Sequence, residues 1–518
     1  MSKNSESNHT SLSRRDILKG LATVPVIGIM GAGAISYQSE VQARSKANKI
    51  PDFGTLGSSD VTNKLTEFVA PGNKLRIGII GNGSRGLQLL RALGFADPDW
   101  VEKNTPNGKA NANLKNFLQQ EDLNVEITAI CDTFRIYAEI GADAVQHGAK
   151  AGARQIKETS GPKLYHNYRD LLADDLVDAV VIATPDHWHA RMAIDAALAG
   201  KHVYLEKPMT LTIEEAFALR EAIFQTGVTF QLGHQNRQQV SYRKAEEVVA
   251  EGLLGDVSMI ETYTNRNNDH GAWIRGIHPE ANRDNIDWEG FLGSAPATEF
   301  DLDRYFNWQK WFEYGGGPAG NQFTHEYDCI NQVMHLGIPN TVVATGGNYH
   351  FKDPRNIPDV FNAVFNYANH GLTLTYDCTL KSKTRRDKLI MGTDASMVLS
   401  INLNVFPDNG SEKYKKFNLD PEEPVFSYNP KQDETDATTS ATAKYYQERG
   451  FGYTYRNGKK VDCTYLHMLE WINCIRTKKL PSCNVQQGFE ESVTYIMSNI
   501  SYREQRVVKW NQEKEMIV

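Results

Sequence analysis

Lys74-Leu75-Arg76-Ile77-Gly78-Ile79-Ile80-Gly81-Asn82-Gly83-Ser84-Arg85-Gly86 is the stretch whose reading decides the fold. An apolar, isoleucine-rich run passes straight into glycines spaced G-x-G-x-x-G and then into a helical pattern. Gly81 permits a tight turn, Gly83 lets backbone N–H groups approach a pyrophosphate, and Gly86 lets the helix lie close on the strand with its positive end toward the anion. The stretch predicts a dinucleotide-binding unit, with Asn82, Ser84 and Arg85 on the same turn as candidates to line the cofactor.

Such a unit needs an acidic residue at the end of its next strand. Val125-Glu126-Ile127-Thr128-Ala129-Ile130-Cys131-Asp132 supplies one, and Asp132 can hold a ribose diol. The usual gap is about 20 residues; here a polar insertion over 95–124 intervenes, expected at the sheet edge away from the cofactor. A carboxylate repels a 2′-phosphate and so points to NAD, while Arg135 three residues on leaves NADP open. Capping of the following helix is the plainer role for Asp132.

At the N-terminus, Ser13-Arg14-Arg15-Asp16-Ile17-Leu18-Lys19 precedes a mildly apolar stretch over 20–37 and then Val41-Gln42-Ala43. Residues 1–43 resemble a twin-arginine signal peptide and 44–73 read as an N-terminal arm. Glycines and a proline interrupt the apolar stretch and no cysteine follows for a lipid, so a removed signal is expected and not a stable membrane anchor. An ordinary helix with a chance arginine pair is the alternative. The expected location is exported and periplasmic, with the twin-arginine export machinery as a partner. That route implies export of a folded protein around its cofactor. Free NAD is scarce outside the cytoplasm, so the nucleotide is expected to stay tightly bound and to be recycled internally.

The 518 residues, 40% hydrophobic with a formal charge of −7, describe an ordinary globular protein. About 475 residues remain after the signal, enough for two domains. No basic run suggests nucleic acid. Cys131, Cys329, Cys378, Cys463, Cys474 and Cys483 are scattered without C-x-x-C spacing, so no zinc site is expected. Cys474 and Cys483 are a pair that an oxidising compartment could bridge. Residues 407–460 read as a long loop region.

Strand, helix and strand patterns over 178–185, 188–200 and 202–206 predict an α/β fold, a Rossmann doubly wound parallel sheet over 74–208. Ligands sit beyond the carboxyl ends of such strands, where Thr184-Pro185-Asp186-His187-Trp188-His189 and Glu206-Lys207-Pro208 place polar sets. A helix over 212–225, a strand over 228–232 and Gly233-His234-Gln235-Asn236-Arg237 lead into a second domain, 209–518. Its strands, such as 257–263, 360–367 and 372–378, alternate as in a large, mostly antiparallel open sheet of an α+β domain. Amphipathic helices over 466–476 and 486–503 close the chain.

The glycine-rich Gly315-Gly316-Gly317-Pro318-Ala319-Gly320 opens a helix on which Asn321, His325 and Asp328 fall at i, i+4 and i+7, one stripe too polar for a plain core face. His187-x-His189 lacks further metal ligands, and His325-Glu326-Tyr327-Asp328-Cys329 has Cys where a zinc helix needs its second His, so no metal is expected. Trp273, Arg275, Tyr314 and Tyr327 have the chemistry of a sugar platform and equally that of domain packing.

From residue 74 onward, the glycine turn, the 184–189 motif and Glu206-Lys207-Pro208, in order, resemble the glucose–fructose oxidoreductase, inositol dehydrogenase and MocA family. The resemblance implies that Lys207 lies beside the nicotinamide and the reacting hydroxyl, with Glu206 in the same motif. It implies too that the 184–189 turn packs on the nicotinamide end and that Gln235 or Asn236 lies near the cofactor. The family's D-x-x-x-H helix implies His325 as general base, with Asn321 where Asp is usual. A histidine, titrating at about 6.5, accepts the hydroxyl proton while hydride leaves the same carbon, and Lys207 stabilises the oxyanion. The implied function is oxidation of a sugar or glycoside hydroxyl by a homo-oligomer, dimer or tetramer. Two alternatives stand: an NAD-dependent glycosidase acting through a transient ketone, as in the exported N-acetylgalactosaminidases of similar plan, and a non-catalytic sugar- and NAD-binding protein. The paired carboxylates of ordinary glycosidases are not evident.

Overall fold

The computed structural model describes residues 73–152, 161–415, 422–429, 453–456 and 459–518. The expected signal, 1–43, and nearly all of the arm lie outside the described residues. Leu75–Ile80 forms β1, buried on both faces as a strand between two helical layers must be. It is followed by helix α1 (Ser84–Ala92), β2 (Val125–Cys131), β3 (Lys163–Tyr165), β4 (Ala179–Ile182), α2 (Asp186–Leu198), β5 (His202–Leu205), α3 (Ile213–Thr226) and β6 (Phe230–Leu232). These strands pair in parallel in the order β3-β2-β1-β4-β5-β6. The direction of winding reverses between β1 and β4, which opens the ligand crevice there.

The domain boundary expected at 208 falls too early. The helix after it, α3, starts on a capping box of Thr212 and Glu215, and β6 then hydrogen-bonds to β5. The parallel sheet is complete only after Leu232. The insertion at 95–124 carries two short helices, Pro98–Lys103 and Ala112–Leu118. Leu114 and Phe117 give it a small core of its own with Ala96 and Ala151.

After α4 (Val240–Ala250), the second sheet contains β7 (Val257–Asn265), β8 (Thr341–Gly347), β9 (Val360–Tyr367), β10 (Leu372–Thr379), β11 (Lys388–Gly392), β12 (Ala395–Leu399), β13 (Leu403–Pro407), β14 (Phe426–Tyr428), β15 (Val508–Asn511) and β16 (Met516–Ile517). Its order is β14-β13-β12-β11-β7-β10-β9-β8-β15-β16, and the β7–β10 pair is parallel within an otherwise antiparallel sheet. Leu372, Leu374, Tyr376 and Cys378 on β10 point inward, onto a layer that includes α5 (Thr324–Met334) and α7 (Val485–Glu504). The described parts of 407–460 are not all loop, since β14 and a hairpin, Tyr453–Arg456 with Lys459–Asp462, lie there.

The closing helices divide their work. α7 packs in the second domain, whereas α6 (Cys463–Thr477) returns to the first, where Leu466, Trp471, Ile472 and Ile475 pack with Ile79, Leu89 and Leu90. All six cysteines are free thiols, Cys474 and Cys483 included. Among the described residues, no helix is long and apolar enough to cross a membrane.

Candidate active site

The crevice at β1 and β4 is built mainly from backbone. Gly81 has φ 85°, and a Cβ there would lie 2.7 Å from the Ala183 carbonyl oxygen; one on Gly86 would collide with the Gly81 carbonyl oxygen. Gly83 caps α1 with no side-chain oxygen, and Ser84 is exposed, so the first N–H groups of the helix are open to an anion. Asp132 stands at the end of β2, and no side chain caps the helix that follows it, Arg135–Gln146. The Asp132 carboxylate accepts from Asn82 N at 2.6 Å and from Phe134 N at 2.8 Å, and burial pushes it up to about 6. Each oxygen retains a lone pair for a ribose hydroxyl. Thr184 Oγ1, at the end of β4, is buried without a partner. Open amides, an acid and an orphaned hydroxyl fit a dinucleotide. The guanidinium of Arg135, which left NADP open, donates to Glu139 at 3.1 Å.

Several residues expected to line the cofactor also brace the protein. Asn82 is buried and its Nδ2 donates to Tyr137 O at 2.7 Å, tying the turn to the helix after β2. Arg85 donates to Glu206 at 2.8 Å and to Gln235 at 3.1 Å, so all three link α1 to the ends of β5 and β6. His187 Nε2 pairs with the Phe291 carbonyl at 2.8 Å within an aromatic cluster, and burial lowers the imidazole to about 4. His189 pairs with the carbonyls of Thr184 at 2.9 Å and Pro208 at 2.7 Å, stapling β4 to the segment after Lys207. Pro185 caps α2. Asp186 accepts from Gly316 N at 3.0 Å, which holds the glycine-rich loop in place; burial raises its carboxyl to about 6. A motif records that these residues occur together, not that they are consumed by one another.

Lys207 and His325 converge from the two domains. Lys207 follows β5 before a cis peptide to Pro208, and its Nζ donates to the Asn321 carbonyl at 2.9 Å. Asn321 lies in a π-helical turn, Ala319–Phe323, that runs into α5; such wide turns are rare and gather at functional sites. Its Oδ1 accepts from Gln309 at 3.0 Å, while its Nδ2 is buried without a partner. His325 Nδ1 is likewise buried and unpartnered. Burial first, then the charges of Lys207, His234 and Arg266, hold the His325 imidazole well below its ordinary 6.5. It is a neutral base. Burial also lowers Lys207 from 10.5, against the pull of Asp186, Glu206 and Glu491.

Asp328 departs from the expected stripe. Arg237 donates to it at 2.7 Å, and His234 Nδ1 lies 3.9 Å away. His234 also pairs with Glu491 and sits edge-on to His325, ring centroids 5.3 Å apart. Asp328 therefore belongs to a buried layer behind His325, not to the substrate face. His234, Asp328 and Glu491 approach closely enough to hold a cation. However, Arg237 already occupies Asp328, and burial notwithstanding, the two carboxylates raise His234 above its ordinary value, so two cations balance two acids. His234 was missed by the sequence reading; its place just past the carboxyl end of β6 was the available signal.

The sugar platform is likewise corrected. Tyr327 is core, its hydroxyl donating to the Gly337 carbonyl at 2.7 Å. Trp273 and Tyr314 are fully packed. Arg275 is half-buried, and its guanidinium forms no hydrogen bond or ion pair with a described residue.

Residues 75–234 match the oxidoreductase family, NAD-binding Rossmann fold, and 293–510 match its C-terminal alpha/beta domain. The chain belongs to the Gfo/Idh/MocA family. Its cofactor is NAD, and the crevice above is where this family's fold receives it. An uncharacterized oxidoreductase of Streptococcus pneumoniae serotype 4 is 27% identical over 292 residues, 55% of this chain and 67% of that protein. A glycosyl hydrolase family 109 protein of Shewanella pealeana is 23% identical, covering 95% of this chain and 93% of its own. Other curated relatives are matched over only 40% to 44% of their length. A levoglucosan dehydrogenase solved with NADH and levoglucosan superposes with a TM-score of 0.56 at 16% identity, covering 84% of this chain and 99% of that one; at that identity the likeness is one of fold.

Proposed function

We propose that this enzyme oxidises a hydroxyl of a sugar or glycoside with a tightly held, internally recycled NAD. The observation that carries the reading is the pair of buried, unpartnered polar atoms, Asn321 Nδ2 and His325 Nδ1, beside the Lys207 ammonium. Buried polar atoms without partners are costly, and a substrate hydroxyl supplies what both lack. Bound NAD supplies the hydride acceptor. His325, kept neutral, takes the hydroxyl proton; Lys207 donates to the oxygen as charge develops on it. Asn321 orients the hydroxyl but cannot take its proton. Asp186 and Glu206 keep Lys207 charged against its burial.

The relative named as a glycosyl hydrolase, matched nearly end to end, supports a second outcome from the same first step. A transient ketone acidifies the neighbouring C–H, so a glycosidic bond can be eliminated, water added and the ketone reduced again. We further propose export to the periplasm by the twin-arginine route, on the strength of Arg14-Arg15 and the apolar stretch behind them. A homo-oligomer is proposed through the outer face of the second sheet, where Val343 and Val364 on neighbouring strands are 47% and 45% exposed. The as-purified protein, mixed with sugars and with glycosides, tests the reading. Appearance of reduced-nicotinamide absorbance supports oxidation. Free sugar from a glycoside without net reduction supports hydrolysis. Neither change with any compound leaves a binding protein and overturns both.

A further inference from the structure

Oxidation as proposed uses two orphaned atoms beside Lys207, Asn321 Nδ2 and His325 Nδ1, and leaves a third without a role. Gln309 Oε1 is buried with no hydrogen-bond partner among the described residues, although Nε2 of the same side chain donates to Asn321 Oδ1 at 3.0 Å. The two carboxamides are therefore in direct contact. Asn321 is the hub of the group. Its backbone carbonyl accepts from Lys207 Nζ at 2.9 Å, and His325 follows one helical turn later. Two hydrogen bonds in series thus tie Gln309 to Lys207. Buried polar atoms in folded proteins almost always find a partner, and here the orphans gather around one residue.

The turn that carries Gln309 is anchored on both sides. Gln309 is the middle residue of a single 3₁₀ turn, Trp308–Lys310. Lys310 Nζ donates to the two carboxylate oxygens of Asp303 at 2.9 and 3.0 Å, and Asn307 Nδ2 donates to one of them at 2.6 Å. A carboxamide on a fixed turn fixes the amide it touches. With Oδ1 of Asn321 held by the Gln309 N–H, Nδ2 faces the other way, and Asn321 presents a donor where a carboxylate would present only acceptors.

A hydroxyl oxygen accepts two hydrogen bonds and donates one. The reacting hydroxyl is saturated by accepting from Lys207 and from Asn321 Nδ2 and donating to His325 Nδ1, so it has no proton left for Gln309 Oε1. A second donor is needed, and the contact between the two amides puts it on the neighbouring carbon. We infer that Gln309 is a specificity-determining residue for a vicinal diol: the substrate carries a free hydroxyl on the carbon next to the one oxidised, and that hydroxyl donates to Gln309 Oε1. The inference deepens the sugar-oxidation reading and rests on it for which carbon loses the hydride. A buried acceptor left unpaired costs more than its hydrogen bond gains, so a substrate bearing hydrogen or a methoxyl group at that neighbour is rejected.

The test uses NAD-containing protein with D-glucose and D-galactose and, for the better of the two, the mono-deoxy analogues at each hydroxyl position. Binding is read by calorimetry and reaction by nicotinamide absorbance. The analogue that binds yet reduces no nicotinamide marks the reacting carbon. Wild type is expected to bind the analogue lacking the hydroxyl at one neighbour of that carbon at least about tenfold more weakly than the parent sugar. Gln309→Leu should bring that ratio to about one while bound NAD per chain and the ratios at non-adjacent positions are unchanged; a general loosening of the site would lower all of them together. Gln309→Glu, which keeps an acceptor but offers Asn321 no N–H, should retain the ratio while kcat falls as the Asn321 amide turns. No sensitive neighbour, equal ratios in wild type and Gln309→Leu, or no binding of either parent sugar overturns the inference. If Gln309→Leu does not fold, Gln309→Glu is read alone, and loss of the ratio there overturns it. Two adjacent sensitive positions in calorimetry, one of them dependent on Gln309, with no nicotinamide reduction would keep the diol subsite and remove the oxidation reading; reduction without a Gln309-dependent ratio would do the reverse.

Discussion

The two halves of the site are made of different material. Around Gly81–Gly86 the backbone is the site: amides, carbonyls and the absence of Cβ atoms create the cradle, and the side chains of Asn82 and Arg85 are turned into braces. Around 319–328 the side chains are the site. Asn321 and His325 present unpartnered atoms beside Lys207, while Asp328, a single turn further on, is consumed by Arg237 behind them. A backbone site tolerates no change of shape but little depends on its side chains. A side-chain site inverts that dependence.

The contrast breaks most visibly at the catalytic pair. His325→Ala is expected to lower kcat by about 10²–10⁴ as the loss of a general base, and Lys207→Ala by about 10²–10³ or more as the loss of an oxyanion donor, with bound NAD retained in both. Release of the nucleotide by either would make that side chain part of the cradle. Asp328→Asn should instead cost about 3–5 kcal/mol in denaturant unfolding, because it strands a buried guanidinium; a stable variant with failed catalysis would return Asp328 to the substrate face. Gly86→Ala forces a Cβ against the Gly81 carbonyl, and overpacking of about 1–3 kcal/mol should appear as weakened NAD retention in calorimetry while the second domain stays folded by circular dichroism. The smallest effect is in the pH profile. His325 works as the neutral form and its value lies below 6.5, so activity should persist as pH falls through 6.5 and fade only well beneath it. Lys207 works as the charged form and is lowered from 10.5, so the alkaline limb should arrive before 10.5. An acid limb at an ordinary histidine pH would point to another base.

Much of the fold was legible because its signals are local. Buried parallel strands are continuous apolar runs, β9 follows strict alternation over Val360–Tyr367, and Thr212 with Glu215 announces α3. The boundary at 208 was misplaced because three-residue β6 has too little pattern to reveal that its partner is β5. The aromatic residues deceived for a similar reason: Trp273, Tyr314 and Tyr327 have the surfaces of a sugar platform, but whether such a face meets sugar or core is decided by residues distant in sequence.

By itself the sequence determined the dinucleotide turn, the acid at the end of β2 and the lysine after β5, because each is a relation between a strand and the residues beside it. Only the tertiary structure decided that His325 meets Lys207 while Asp328 does not, and that His187 and His189 face protein. Those outcomes are partnerships across more than a hundred residues in several cases, and a hydrogen bond or ion pair, being short-ranged, exists only once the folded chain has brought both groups together.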